Sequence, residues 1–413
     1  MIIGVDYTAA VWQGAGIGRY TRELIRAAAH LDRSITYRLF YAAGGLPANS
    51  PYLAELHALA AASPNIQPHP LPLPPRYLTI LWQRLRLPLL VEWLIGRVDL
   101  IHAPDFVLPP TRARTLLTVH DLTFLVRPEC AEAGLRRYLA RAVPRALRRA
   151  DLVLVDSLAT AADLERLLGV SGPRVRLAYP GVDPRFRPLP STAVEPLRAA
   201  LGLPAEFLLF VGTIEPRKNL VRLIEAFDRL ISVRSPAEGG TPTTEDGGSA
   251  SVVDRRSFAG LHLVIAGRKG WLYEEVFAAV ERLGLGARVR FLDFVDDTQL
   301  PALYNLARAF VYPSLYEGFG LPALEALACG TPVVTAGVSS MPEVVGGAAV
   351  LVDPLSVESI AGGIKQALAE EPRLRAAGPP QARRFTWDAA AQALLTSYRE
   401  LYSAAGAPRK RAL

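Results

Sequence analysis

Two cationic side chains, Arg217 and Lys218, follow the turn Gly212-Thr213 and precede a helical pattern that opens at Leu220. Cations oppose the positive end of a helix macrodipole, so the placement is unfavourable unless a polyanion lies between them. The chain holds only four lysines, at 218, 269, 365 and 410, among 46 basic residues, so a lysine here is not compositional drift. A solvated helix start is the alternative reading. A second anion-binding pattern runs from Ser314 to Gly330 (SLYEGFGLPALEALACG). Pro322 suits a first helical turn and Gly330 a helix stop, so a short helix is expected from just after Gly320 to near Cys329. Backbone N–H groups around Gly318, Phe319, Gly320 and Leu321 then become free donors beside a positive helix end, suited to a diphosphate. Glu317 precedes that helix and Glu325 is expected in its first turn; carboxylates there accept hydrogen bonds from hydroxyls such as those of a sugar and a ribose. Helix capping alone accounts for one of the two glutamates, not for both.

Earlier in the chain, Gly14-Ala-Gly16-Ile-Gly18 separates a strand from a helix and reads either as an anion-receiving loop or as a tight turn. His120 closes the apolar run at 115–119 and is followed by Asp121, which points its imidazole toward a ligand. His30, His57, His69 and His262 read as ordinary core or surface residues.

Positioning these groups falls to strand-length apolar runs at 2–5, 152–155, 207–211, 261–266 and 333–334, separated by segments of helical period. Continuous runs of this kind are strands buried on both faces, so the class is α/β with doubly wound parallel sheets. Ligands bind beyond the carboxyl ends of such strands. The residues met there are Asp6, His102, His120-Asp121, Gly212-Thr213, Gly267-Arg268 and Pro313-Ser314. In the helical pattern of 16–31, Ile17, Tyr20, Leu24, Ala28 and Leu31 form the apolar stripe, with Arg19, Arg22, Glu23 and Arg26 mostly elsewhere. Pro184, Pro188, Pro190 and Pro196 are expected to interrupt regular structure and to mark a hinge. The expected units are 1–184, 185–378 and a carboxyl-terminal segment 379–413 that packs on one of them. Residues 235–257 have few large apolar groups and several glycines, and read as a mobile insertion; the basic tail at 409–411 reads as a frayed end.

The 413 residues are 50% hydrophobic and 21% charged, the balance of a folded globular protein. Two cysteines, Cys130 and Cys329, supply neither a disulfide framework nor a cysteine metal site. The start MIIGVD reads as a first strand and not as a signal peptide, which gives a cytoplasmic expectation. A net charge of +7 suits an anionic ligand or lipid surface and is too evenly spread for nucleic acid. Residues 76–97 mix Arg84, Arg86 and Arg97 with Trp82, Trp93 and many leucines, the pattern of an amphipathic helix at the inner face of a membrane or of a core helix pair broken at Pro88.

On these residues the chain resembles the retaining glycosyltransferases of family 4, which share the two-domain GT-B fold with a cleft between two Rossmann-like domains. Glu317 and Glu325 form that family's Glu-x7-Glu motif, continued by Cys329-Gly-Thr-Pro-Val-Val and Ser339-Ser-Met-Pro-Glu-Val. Gly212 to Asn219 resembles its donor-diphosphate segment, and Gly14 to Tyr20, His120-Asp121 and Asp151 to Ser157 its acceptor-domain elements. The resemblance implies that Arg217 and Lys218 bind the donor diphosphate, Glu317 the sugar hydroxyls and Glu325 the ribose. Gly212, Gly318, Phe319, Gly320 and Leu321 would line the donor, Val295 would lie by the base, and Gly16 and His120 would face the reacting centre. It also implies a carboxyl-terminal helix that returns to the first domain. No Asp-x-Asp triplet occurs, so the expected transfer uses no metal and no cofactor beyond its nucleotide-sugar co-substrate. The mannosyltransferase-type branch fits best, with GDP-mannose as donor and a glycan or lipid-linked acceptor. UDP- or dTDP-sugars are the alternative, and a nucleotide-sugar epimerase is a further one on the same fold.

Overall fold

The computed structural model describes residues 1–14, 16–232, 258 and 260–404. The expected insertion at 235–257 and the basic tail at 409–411 lie outside the described residues.

Among the described residues thirteen strands form, all paired in parallel. The first sheet contains β1 (Ile2–Asp6), β2 (Thr36–Ala42), β3 (Ile66–Leu71), β4 (Leu100–Ala103), β5 (Arg114–Val119), β6 (Leu152–Val155) and β7 (Val175–Leu177), in the order β3-β2-β1-β4-β5-β6-β7. The second contains β8 (Glu206–Val211), β9 (Leu261–Ala266), β10 (Val289–Phe291), β11 (Ala309–Tyr312), β12 (Val333–Ala336) and β13 (Val350–Val352), in the order β10-β9-β8-β11-β12-β13. Strand order reverses beside β1 and β4 in one sheet and beside β8 and β11 in the other. Such switch points open a crevice at the carboxyl ends of the strands.

The chain forms two compact units. The first comprises Met1–Asp183, Glu317–Leu321 and Phe385 onward; the second comprises Pro184–Tyr316 and Pro322–Arg384. Within the first, helix Trp387–Ser403 lays Ala390, Ala391, Leu394, Leu395, Tyr398 and Leu401 into the core that contains Ile3, Val5 and Leu100. The Tyr398 hydroxyl bonds His102 Nδ1 at 2.7 Å, and His102 Nε2 meets Thr118 Oγ1 at 3.0 Å. Burial, reinforced by the charge of His120, lowers the His102 pKa to about 3, so this ring is a neutral core residue.

Several local expectations are corrected. Pro196 lies inside helix Ser191–Leu201, and Pro379 and Pro380 lie inside helix Glu371–Ala382. Each proline removes one backbone donor, and packing of the helix outweighs that loss. Gly378 illustrates the packing, since a Cβ there would lie 2.7 Å from the Leu327 carbonyl oxygen. Residues 76–97 are not one helix: Pro75–Leu78 continues into a π turn, Thr79–Arg84, and a short helix Glu92–Ile95 follows an irregular stretch. Trp82 is buried there, and Trp93 is exposed.

In helix Ile17–Leu31, Arg19, Arg22 and Glu23 are buried, contrary to their expected placement off the apolar stripe. Arg22 is enclosed because its guanidinium donates to the carbonyls of Ala10, Gln13 and Gly14 at 2.7, 2.7 and 2.8 Å. It thereby closes the turn ahead of its own helix. Both cysteines are buried.

Candidate functional site

In the second unit the site is built at the β8/β11 switch point. β8 ends at Gly212, the turn Pro216–Lys218 follows, and Asn219 takes a left-handed conformation (φ 60°) before helix Leu220–Ile231. Asn219 holds that conformation by donating its side-chain amide to the carbonyls of Pro313 and Pro354, at 3.0 and 2.6 Å. The Leu315 N–H donates to the Arg217 carbonyl at 2.8 Å, which ties the β8 loop to the β11 loop. Arg217 donates to Glu215 Oε1 at 2.7 and 3.1 Å and to the Tyr316 carbonyl at 3.0 Å. The Lys218 ammonium is buried; it bonds the Tyr312 hydroxyl and lies 4.8 Å from the centre of that ring. The two cations are therefore held by oriented partners from both strands and do not range freely in solvent.

At the carboxyl end of β11, Ser314 Oγ is buried with no hydrogen-bond partner among the described residues. Helix Leu321–Ala328 follows, with the bounds its proline and glycine signals predict. Its end is a Schellman motif: Gly330 N–H donates to the Leu327 carbonyl at 2.9 Å and Thr331 N–H to that of Ala326 at 2.9 Å. Glu325 is the fifth residue of this helix, so it lies past the first turn where the sequence reading put it. There it is buried and accepts from the Tyr304 hydroxyl at 3.0 Å. Val295 is buried in the loop after β10.

In the first unit, His120 follows β5. Its Nδ1 lies 2.6 Å from Asp156 Oδ2 and its Nε2 lies 2.7 Å from the Pro104 carbonyl oxygen. Both partners accept, so both ring nitrogens must donate, and only the imidazolium has two N–H groups. Burial disfavours that charged form, but the charge and hydrogen bond of Asp156, the charge of Asp105 and the Pro104 carbonyl outweigh it, and the pKa rises to about 9. Burial pushes Asp156 up as well, against the pull of His120. Tyr20 and Phe106 stand edge-on to the ring at 4.8 and 5.8 Å.

Glu317–Leu321 packs within this unit. A Cβ on Gly318 would sit 2.2 Å from the His120 carbonyl oxygen, so only glycine permits this approach. Phe319 anchors the segment between Tyr179 and Phe385, with ring centres at 6.1 and 5.6 Å. Glu317 is buried. Gly16 caps helix Ile17–Leu31 at φ 59°, ψ −126°, a conformation closed to side-chain-bearing residues.

At the β1/β4 switch point a cavity of 260 Å³ is lined by Asp6 and Asp105, by Trp12 and Trp82, and by Gln13 and Gln83 among others. The two carboxylates are enclosed by the surrounding chain yet keep part of their surface open to this space. Burial raises the Asp6 pKa to about 6, with Asp105 adding to the rise.

The structure thus gathers Arg217 and Lys218 in one unit, with Glu325 in the same unit, and His120, Gly318 and Phe319 in the other. Sequence reading placed Asp156 and Glu215 inside its matching segments without a role and did not name Tyr312; these three fix the charged groups. Asp156 closes the β6 run as His120 closes that of β5, and that shared register was the available signal.

Comparison with known proteins agrees with this geometry. The family model "Glycosyl transferases group 1" matches residues 195–384, and "Glycosyltransferase Family 4" matches residues 14–186. The chain is 30% identical over 398 residues to O-antigen chain mannosyltransferase B of Escherichia coli, covering 94% of this chain and 96% of that one. It is 29% identical over 282 residues to the serotype-specific mannosyltransferase WbdA of Escherichia coli, covering 66% of this chain and only 32% of that much longer one. Sucrose-phosphate synthase from Thermosynechococcus elongatus shares the fold, with a TM-score of 0.71 over 98% of this chain and 100% of that one, at 22% identity.

Proposed function

Since the chain belongs to glycosyltransferase family 4 and is a glycosyltransferase of GT-B fold, we propose that it moves a hexose, with retention, from a nucleotide sugar to a glycan or lipid-linked acceptor without a metal ion. Mannose from GDP-mannose is the donor assigned first, in keeping with the mannosyltransferase names of its relatives. The observation that carries the reading is the pair Arg217 and Lys218, held at the β8/β11 switch point by Glu215, Tyr316 and Tyr312.

In this mechanism the bond from the anomeric carbon to phosphate breaks, leaving negative charge on the diphosphate and positive charge on the sugar. Fixed cations and helix N–H donors stabilise the departing charge, and their preorganisation means no rearrangement is needed as it develops. The acceptor oxygen attacks from the face the diphosphate leaves, and its proton passes to a diphosphate oxygen. In the second unit Arg217 and Lys218, beside Gly212, hold the diphosphate; in the first, Gly318, Phe319, Gly320 and Leu321 keep the donor-lining role that the family resemblance implies. Glu317 takes the sugar hydroxyls, Glu325 the ribose and Val295 the base. His120 has both nitrogens engaged, so its part is a fixed positive charge beside Gly318 and not proton abstraction; Gly16 opens the neighbouring helix. The cavity at Asp6 and Asp105, with tryptophan faces and hydroxyl-accepting carboxylates, suits the acceptor saccharide. Peripheral contact with the inner membrane face is part of the proposal, and among the described residues no helix is long and apolar enough to cross a bilayer.

Thermal-shift titration with GDP-mannose, UDP- and dTDP-sugars identifies the donor, since a ligand that binds only the folded state raises its melting temperature. A shift with UDP- or dTDP-hexose and none with GDP-mannose assigns the alternative donor. In Lys218→Ala we expect turnover to fall by roughly 10²-fold or more, the scale seen when one transition-state charge partner is removed. Near-normal turnover would refute the diphosphate assignment.

A further inference from the structure

We infer that a groove of five arginines in the first unit is a binding site for the diphosphate of a lipid-linked acceptor, beside the saccharide cavity. Arg84, Arg86, Arg137, Arg141 and Arg145 line one depression of 390 Å³ with Tyr138. Among the described residues none of the five forms an ion pair; Arg137 alone lies in the field of a carboxylate, that of Glu132 at the start of its helix.

Arg137, Arg141 and Arg145 are spaced i, i+4, i+8 along helix Ala133–Arg149, which stacks them on one face. Like charges at that spacing destabilise a helix, and here no acidic residue interleaves them. Arg84 and Arg86 come from a different element. Arg84 ends the π turn Thr79–Arg84, and Arg86 is held at φ 56°, a left-handed conformation uncommon outside glycine. A π turn and a left-handed arginine are both unfavourable local choices, and together they aim two more guanidinium groups at the ladder. Such local strain marks places where function selects the backbone. Planar guanidinium groups match phosphate oxygens two at a time, so five of them around one depression fit a di-anion or larger.

Two further observations choose the occupant. Gln83 lines this groove and also the 260 Å³ cavity, so a saccharide in the cavity and a phosphate in the groove are neighbours. The segment that carries Arg84 and Arg86 exposes Leu85 at 60%, Leu87, Leu89, Trp93 at 66% and Leu94, an apolar surface placed for an acyl or prenyl chain. Saccharide, diphosphate and hydrocarbon are the three parts of a lipid-diphosphate-linked glycan. The inference deepens the acceptor reading above and depends on it only for the saccharide.

The test is calorimetric binding of geranyl diphosphate, with geraniol as the phosphate-free control, to the full chain. Wild type, Arg137→Gln/Arg141→Gln/Arg145→Gln, the matching triple Lys variant and Lys218→Ala are compared, each checked for an unchanged urea midpoint. Loss of three charge-assisted contacts should weaken geranyl diphosphate binding at least about tenfold in the Gln variant. The Lys variant should recover part of the affinity, and Lys218→Ala should keep the groove's binding. Equal binding by the Gln variant and wild type, or equal binding of geraniol and geranyl diphosphate, overturns the inference. So does a loss confined to flotation on phosphatidylglycerol vesicles, which would assign the arginines to bilayer headgroups. Arginine-dependent binding in a protein that transfers no sugar would leave the groove standing and remove the transferase reading instead.

Discussion

Asp156→Asn tests the charge state of the first unit's site. In the wild type, His120 has a pKa of about 9, against 6.5 for an unperturbed histidine. A group whose folded pKa is raised stabilises the fold fully below its unfolded value and loses that contribution as pH rises through the folded one. The difference corresponds to roughly 3 kcal/mol, withdrawn between about pH 6.5 and 9. Of the other perturbed groups near it, Asp6 titrates at about 6 and His102 at about 3, on the acid side, and burial pushes Tyr20 well above the usual phenol range, so its effect falls above this interval. The alkaline slope is therefore the signature of His120. In Asp156→Asn the ring keeps its burial and loses its main counter-charge, so it becomes neutral at pH 7. A neutral imidazole has one N–H for two acceptors, and the slope should vanish along with part of the stability at pH 6.5. Urea unfolding at intervals from pH 6 to 9.5, followed by a first-unit tryptophan, measures the slope. Long-range ¹H–¹⁵N spectra of the imidazole report both protons directly. A wild-type profile flat across that interval, or an unchanged slope in Asp156→Asn, would refute the imidazolium assignment.

Other substitutions probe separate parts of the molecule. Tyr304→Phe removes the hydrogen bond to Glu325, and should weaken donor binding by about 1.5–3 kcal/mol, read as a rise in donor KM with acceptor KM unchanged. Gly318→Ala places a methyl group 2.2 Å from the His120 carbonyl oxygen, so the segment Glu317–Leu321 must shift and transfer should fall at least about tenfold, with the urea midpoint reporting whether the fold survives. Tyr398→Phe leaves a buried nitrogen of His102 without its partner and should cost the first unit about 1–3 kcal/mol in urea unfolding. Activity measured with excess EDTA should match the untreated enzyme, and restoration by added Mg²⁺ or Mn²⁺ would overturn the metal-free mechanism.

The strands were readable because a parallel strand covered on both faces has no polar side to interrupt it; the run at 207–211 is β8 to within a residue. Helix Leu321–Ala328 was readable because proline and glycine act locally, and its Schellman end needs nothing beyond its own backbone. What stayed hidden depends on distant partners. Arg22 reads as a surface residue until the carbonyls of Ala10, Gln13 and Gly14 converge on it. His120 and Asp156 stand 36 positions apart, and only the pairing of β5 with β6 joins their ends. The arginines at 137, 141 and 145 look like a solvated helix face until the irregular backbone at 84–86 brings two more to them. Pro196 was expected to interrupt regular structure, and packing of helix Ser191–Leu201 overrode it.

Helix Trp387–Ser403 fills the core of a unit whose strands were synthesised more than two hundred residues earlier. Until the ribosome has released that helix, the face over β4 to β7 lies open, with His102 lacking its phenol partner and Leu100 wetted. The part of the chain that emerges first is therefore the part that finishes folding last, and a nascent chain stalled just before residue 387 should be a client for chaperones even though all thirteen described strands have already been made.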